Sequence, residues 1–178
     1  DGYKTRVPAG WLSLLVNAGD GIDLDVFLAR QPKDRMVRKL GQQLRINRSK
    51  IKETSDTNTD FDDLDGAIRS GYFLKDGLSN NEDFYYLNLL ITVTAGSVDD
   101  LEWKVAEMKK LLLSQDMDVQ TCSFCQEQAF LSSLPLVSLE RQLYERSKRN
   151  VLTTGAASCY PFTSYEMFHT KIGVKLCS

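Results

Sequence analysis

The chain of 178 residues has one histidine, four cysteines and four prolines. A single imidazole, His169, excludes any two-histidine metal site and most histidine-based catalysis. No stretch approaches the roughly 20 apolar residues of a membrane-spanning helix. The strongly apolar run at 85–93 already contains Asn88. None of the eleven glycines is followed by Lys, so a Walker A phosphate loop is absent. Gly19-Asp20-Gly21 has Leu24 where the dinucleotide fingerprint needs glycine. The 178 residues alone should therefore not hydrolyse ATP. Excess charge of one sign is missing too. Against 24 Asp and Glu stand 22 Lys and Arg, which excludes a chain built throughout to coat nucleic acid. No signal-peptide pattern is present, and the opening Asp1-Gly2-Tyr3-Lys4 lacks Met. That opening predicts a reading frame that starts earlier.

What is present describes a folded domain. Hydrophobic residues make up 42% and charged residues 26%, outside the range of disordered chains. At this length about 70% of the unfolded surface can be buried. Residues 11–18 form a short apolar run, and Ile22, Leu24, Val26 and Leu28 alternate after it. With Gly19-Asp20-Gly21 between them, these runs predict a β-hairpin whose inner face carries the four alternating residues. Pro32 opens a helix over 33–52, with Val37, Leu40, Leu44 and Ile51 on one face. A second helix is predicted over 62–75 with a stripe of Leu64, Ile68 and Tyr72, stopping at Gly77. Residues 84–94 are aromatic and β-branched on both faces, which predicts a central strand. Ser97 caps a helix to about 115, whose buried face reads Val98, Leu101, Val105, Met108 and Leu112. A strand over 117–124 would complete a parallel βαβ unit. Helices follow at 126–134 and 138–148, then a turn-rich stretch at 150–164. The expected class is α+β: a mixed sheet of about four or more strands, helices mainly on one face. Residues 1–136 read as an α+β domain, and 137–178 as a helical, turn-rich segment.

Two features invite a chemical reading. Cys122-Ser-Phe-Cys125 with Cys159 and Cys177 could supply four thiolates to zinc, but the second pair is spaced too widely for a usual site. A redox Cys-x-x-Cys opens a helix, whereas position 122 is expected inside a strand. The default is four reduced thiols, some buried. His169 near Cys159 or Cys177 has no spacing that supports a nucleophile dyad. The 33–52 helix carries eight bases and one acid, Asp34. It would suit an anionic membrane surface or an acidic partner, with Arg35, Arg38, Arg45 and Arg48 as contacts. Alternatively, the six acids of 53–65 offset it internally. Arg141, Arg146, Lys148 and Arg149 form a smaller basic group.

The motifs then acquire an order. Phe130-Leu131-Ser132-Ser133-Leu134-Pro135-Leu136 is followed by Arg141, by Val151-Leu152-Thr153-Thr154 and by Pro161-Phe162-Thr163-Ser164-Tyr165-Glu166. This series resembles the conjugative type IV secretion ATPases of the VirB/TrbE/CagE kind, just ahead of their ATPase core. The stretches at 41–52 and 81–95 look like members from Gram-positive conjugative elements. Members often follow Pro-Leu with Gly and later Asn, where this chain has Val137-Ser138-Leu139. The resemblance implies a non-catalytic N-terminal docking and oligomerisation region of a larger ATPase, with no catalytic, cofactor or metal residues of its own. Residues 137–178 would lead toward a missing C-terminal ATPase domain that binds ATP and Mg. The implied partners are inner-membrane channel proteins, the chain's own ATPase domain and further copies, with no direct nucleic-acid contact. The implied place is cytoplasmic, at the inner face of the cell membrane. Arg35, Arg38, Arg45, Arg48, Arg141, Arg146 and Arg149 would face partner or membrane; Thr153, Thr154, Pro161, Phe162 and Glu166 would face the ATPase domain. The alternative is a self-contained α+β interaction adaptor.

Overall fold

A computed structural model describes residues 8–53 and 59–161. Within them the chain is α+β, with three strands in an antiparallel sheet and seven helices. The elements run α1 (Ser13–Val16), β1 (Ile22–Gln31), α2 (Lys33–Glu53), α3 (Thr59–Ser79), β2 (Phe84–Val93), α4 (Val98–Leu113), α5 (Gln126–Ser133), α6 (Arg141–Ser147), β3 (Arg149–Leu152) and α7 (Thr153–Ser158). Strand order is β1-β2-β3, so β2 is central as its two-sided apolar sequence predicts. The described residues contain no helix long and apolar enough to cross a membrane.

Three sequence expectations fail for physical reasons. The predicted first strand at 11–18 is helical: Trp11, Leu12 and Leu15 are the buried residues, a spacing that fits a helical turn and not a period of two. The glycine turn is real, with φ of 121° at Gly19 and 81° at Gly21, but it joins α1 to β1. The predicted strand at 117–124 is absent. Asp116 takes a left-handed φ of 54°, its N–H donates to the Leu113 carbonyl, and the Met117 N–H donates to the Leu112 carbonyl. Those two bonds close α4 with a Schellman turn, and no βαβ unit forms. β3, from the stretch read as turn-rich, pairs antiparallel with β2 instead, Phe84 opposite Leu152 and Leu87 opposite Arg149. Four or more strands are therefore not found among the described residues.

The chain divides into two compact units. Among the described residues, one contains Leu28–Leu87 with Arg149–Ser158; the other contains Gly10–Phe27, Asn88–Lys148 and Cys159–Pro161. In the first unit α2 and α3 pack along each other. The α2 stripe is Met36, Leu40, Leu44 and Asn47; Val37, assigned to that stripe from sequence, is 36% exposed. The α3 stripe runs through Gly71, Leu74, Gly77 and Leu78, while Tyr72 is exposed. A methyl at Gly71 would lie 2.8 Å from the Leu44 side chain, and one at Gly77 would lie 2.3 Å from Leu152. Gly77 is thus a contact point inside α3, which continues to Ser79. The Lys39 ammonium donates to the Tyr86 hydroxyl at 3.2 Å, joining α2 to β2.

In the second unit Ser97 caps α4 by accepting from the Asp100 N–H at 3.2 Å. Only the C-terminal half of the predicted α4 face is covered. Met108 and Leu112 are buried, while Val98 is 70% exposed and Leu101 lies at the exposed boundary. The Lys104 ammonium donates to the carbonyls of Asp20 and Thr94, pinning the glycine turn. Asn88, the interruption in the apolar run, is fully buried in β2. Its Nδ2 donates to the Tyr144 carbonyl at 3.0 Å and to Ser147 Oγ at 2.7 Å, which anchors α6.

Candidate docking surfaces

The basic helix is the most pronounced candidate. At 100° per residue, the buried stripe of α2 occupies one side, and Arg35, Arg38 and Arg45 fall roughly opposite. All three are exposed. Arg38 Nε donates to the carbonyl of Asp34 one turn earlier, and Arg48, on the flank, stacks over the Tyr72 ring at 5.5 Å. None of these four arginines forms a salt bridge among the described residues. The nearby acid Asp65 pairs within α3, with Arg69 at 2.6 Å. Acids of α3 therefore do not neutralise the arginine face by direct pairing among the described residues. That face presents planar, permanently charged donors whose forked geometry matches carboxylate or phosphate.

The second predicted basic group is dispersed. Arg141 and Arg146 sit five positions apart on α6, about 140° around the helix, so they do not share a face. Arg149 opens β3, in the other unit. Lys148 pairs with Glu145 and lies over the Tyr144 ring. All three arginines are exposed.

Thr153 and Thr154 are already engaged within their own unit. Thr153 Oγ1 accepts from the Asp83 N–H at 2.9 Å, and the Thr153 N–H donates back to the Asp83 carbonyl at 3.1 Å. The N–H and hydroxyl of Thr154 both donate to Glu82 Oε2, at 2.9 and 2.8 Å. This clasp holds α7 to the start of β2. Pro161 is half-buried at the end of the described chain, and Phe162, Glu166, His169 and Cys177 lie outside the described residues.

An apolar surface in the second unit was not singled out from sequence. Phe130 and Leu131 on α5 and Leu136 and Val137 after it are all exposed, Val137 at 91%. Ser132, buried at 3%, supports this segment: its Oγ donates to the Gln128 carbonyl and accepts from the Glu140 N–H. Val137 has φ of 54°, a left-handed conformation that a β-branched residue strongly disfavours. Val137→Gly is expected to raise stability by about 1 kcal/mol, since left-handed strain of roughly 1–2 kcal/mol outweighs the flexibility of glycine. A urea titration of the two proteins, read as a midpoint shift at constant slope, checks it. An unchanged or lower midpoint would remove the strain.

Other chemistry-bearing groups are sparse. Asp23 and Asp25 on β1, with Thr92 and Ser133, line an open depression of about 310 Å³. Burial, then the Asp23 charge, pushes the Asp25 carboxyl above its ordinary value, and Asp25 Oδ2 has no partner among the described residues. β1 keeps the predicted alternation at its start, with Ile22 and Leu24 half-buried around exposed Asp23, and inverts it further on: Val26 and Leu28 are exposed while Phe27 and Ala29 are half-buried. Cys122, Cys125 and Cys159 are reduced thiols, outside any disulfide. Burial raises the Cys159 thiol, and its hydrogen bond with Trp11 works in the opposite direction. Among the described residues no three His, Cys, Asp or Glu side chains are grouped to hold a metal ion. No family model matches the chain, and neither a curated protein nor a solved structure does.

Proposed function

We propose that this chain is a non-catalytic docking and oligomerisation domain of a conjugative-transfer, type IV secretion ATPase. The observation that carries the docking role is the exposed face of Arg35, Arg38 and Arg45 on α2, without ion pairs among the described residues. The ordered resemblance from Phe130 to Glu166 supplies the family. The left-handed φ of Val137 supports that assignment, because members often carry Gly at this point. In this reading the arginine face meets acidic segments of inner-membrane channel proteins at the cytoplasmic side of the membrane. Charge steers encounter and selects partner. ATP and Mg act in the ATPase domain, and Thr153, Thr154, Pro161, Phe162 and Glu166 adjoin it.

The self-contained adaptor is the second reading, since the same arginine face would serve it equally well. The reading frame separates the two. A G-x-x-x-x-G-K-[ST] loop within about a hundred residues after Ser178 belongs to the ATPase reading, and a stop codon at that point ends it. The docking role is tested by Arg35→Gln, Arg38→Gln and Arg45→Gln combined. These exposed side chains can change without loss of fold. Association with the channel proteins should slow on the order of tenfold at low salt, and its salt dependence should flatten. Vesicles with and without anionic lipid, sedimented in parallel, distinguish a lipid contact from a protein one. Unchanged association at every salt concentration would overturn the role of this face.

A further inference from the structure

The Cys122-Ser123-Phe124-Cys125 segment is not used by the docking reading. The sequence places Cys122 in a strand, where residues three apart point to opposite faces. The structure instead folds the four residues into a tight turn. The Cys125 N–H donates to the Cys122 carbonyl at 3.2 Å, and Phe124 takes φ of 62° at the third position. A turn of this kind brings its end Cα atoms within about 7 Å, overlapping the roughly 4.4–6.8 Å separation that a disulfide spans. After burial, the neighbouring Cys125 is what raises the Cys122 thiol above its ordinary value.

Access is graded across the pair. Phe124 is fully exposed, so the outer side of the turn faces solvent. Cys122 is half-buried, whereas Cys125 is buried at the start of α5. Cys125 occupies the N-cap position without making a side-chain cap bond, so its sulfur is not committed to the helix end. The more accessible thiol thus has a shielded neighbour in reach, an arrangement of attacking and resolving cysteines.

We propose that Cys122 and Cys125 form a reversible dithiol–disulfide pair that exchanges with small-molecule disulfides of the glutathione class. In the first step the Cys122 thiolate, its proton released to water, attacks one sulfur of oxidised glutathione. A mixed disulfide forms and one glutathione thiolate leaves. In the second step the Cys125 thiolate, likewise deprotonated, attacks the Cys122 sulfur and displaces the second glutathione thiolate. The protein loses two protons and two electrons, and one oxidised glutathione becomes two reduced molecules. Burial and the adjacent Cys125 keep the Cys122 thiol above its ordinary value, so the exchange is slow at neutral pH.

The test incubates the folded full chain with oxidised glutathione and follows intact mass and a non-reducing peptide map. The expected product has lost two hydrogens and contains a Cys122–Cys125 link that dithiothreitol removes. Cys122 should react about tenfold or more faster than buried Cys159. Cys125→Ser should stop at one glutathionyl adduct on Cys122, and Cys122→Ser should give neither adduct nor link at Cys125. Should Cys125→Ser fail to fold, the wild-type map and Cys122→Ser decide alone. A stable glutathionyl adduct on wild-type Cys122, a link through Cys159 or Cys177, or unreacted Cys122 and Cys125 would each overturn the proposal.

Discussion

Asn88→Asp is expected to destabilise the chain by about 3–5 kcal/mol at neutral pH, the range for a buried charge left without a partner. The substitution hardly changes volume, so it isolates the role of the amide. Asn88 is 1% exposed and sits midway along β2. Its Nδ2 gives two hydrogen bonds, to the Tyr144 carbonyl and to Ser147 Oγ, while its Oδ1 has no partner among the described residues. A carboxylate would aim oxygen at the Tyr144 carbonyl and could only receive from Ser147. The Ser147 hydroxyl already donates to the Leu143 carbonyl at 2.8 Å. One of these bonds must break or the charge stays unpaired. Burial would raise the carboxyl in the folded state above its unfolded value. The folded state then binds more protons between those two values, so the deficit shrinks as pH falls. Protonation restores one donor. Urea midpoints at neutral and mildly acidic pH check both parts. A variant as stable as the parent at neutral pH would mean that the donor is not needed. Amide exchange in α6 should accelerate first, since Asn88 is what ties it to the sheet.

Gly77→Ala is expected to cost about 1–3 kcal/mol, although the same change in an exposed helix interior gains about 1 kcal/mol. The new methyl would stand 2.3 Å from Leu152 Cδ1 and 3.3 Å from Glu82 Oε1. Leu152 is only 3% exposed and lies opposite Phe84, itself fully buried, so its displacement disturbs the β2–β3 pairing. Gly66 is the internal control. It lies in the same helix with nothing within 4 Å of an added methyl, and Gly66→Ala should stabilise. Chemical denaturation of the two variants side by side should therefore give shifts of opposite sign. Equal shifts would show that α3 does not approach Leu152 closely.

These two positions also show where sequence reading succeeds and where it stops. The apolar periodicity of Leu40 and Leu44 and the cap at Ser97 are local properties, and both appear as expected. Whether alternation on β1 buries Val26 or Phe27 depends on which side of the sheet is covered, and no neighbouring residue encodes that. One of the two partners of β2 is a stretch more than sixty residues away with a turn-like composition. Local propensity favoured residues 117–124 for that place, but the left-handed exit at Asp116 ends the helix without leading into a strand. The arginine face was legible because charge shows in sequence. The exposed apolar segment from Phe130 to Val137 was not, because apolar residues are read as core by default.

The clasp between Thr153, Thr154 and the Glu82–Asp83 corner sets the order in which this chain can be completed during synthesis. The first unit is closed by Arg149–Ser158, which emerge only after all of Asn88–Lys148 has been made. Until then the β2 edge at Phe84–Leu87 has no strand to accept or donate its hydrogen bonds. A nascent or truncated chain ending before Arg149 therefore presents a bare, aromatic strand edge, the kind that recruits other chains. Loop-closure entropy grows only as the logarithm of the intervening length, so the wait costs little free energy. Its cost is time, during which the incomplete unit depends on dilution or a chaperone to stay apart from its neighbours.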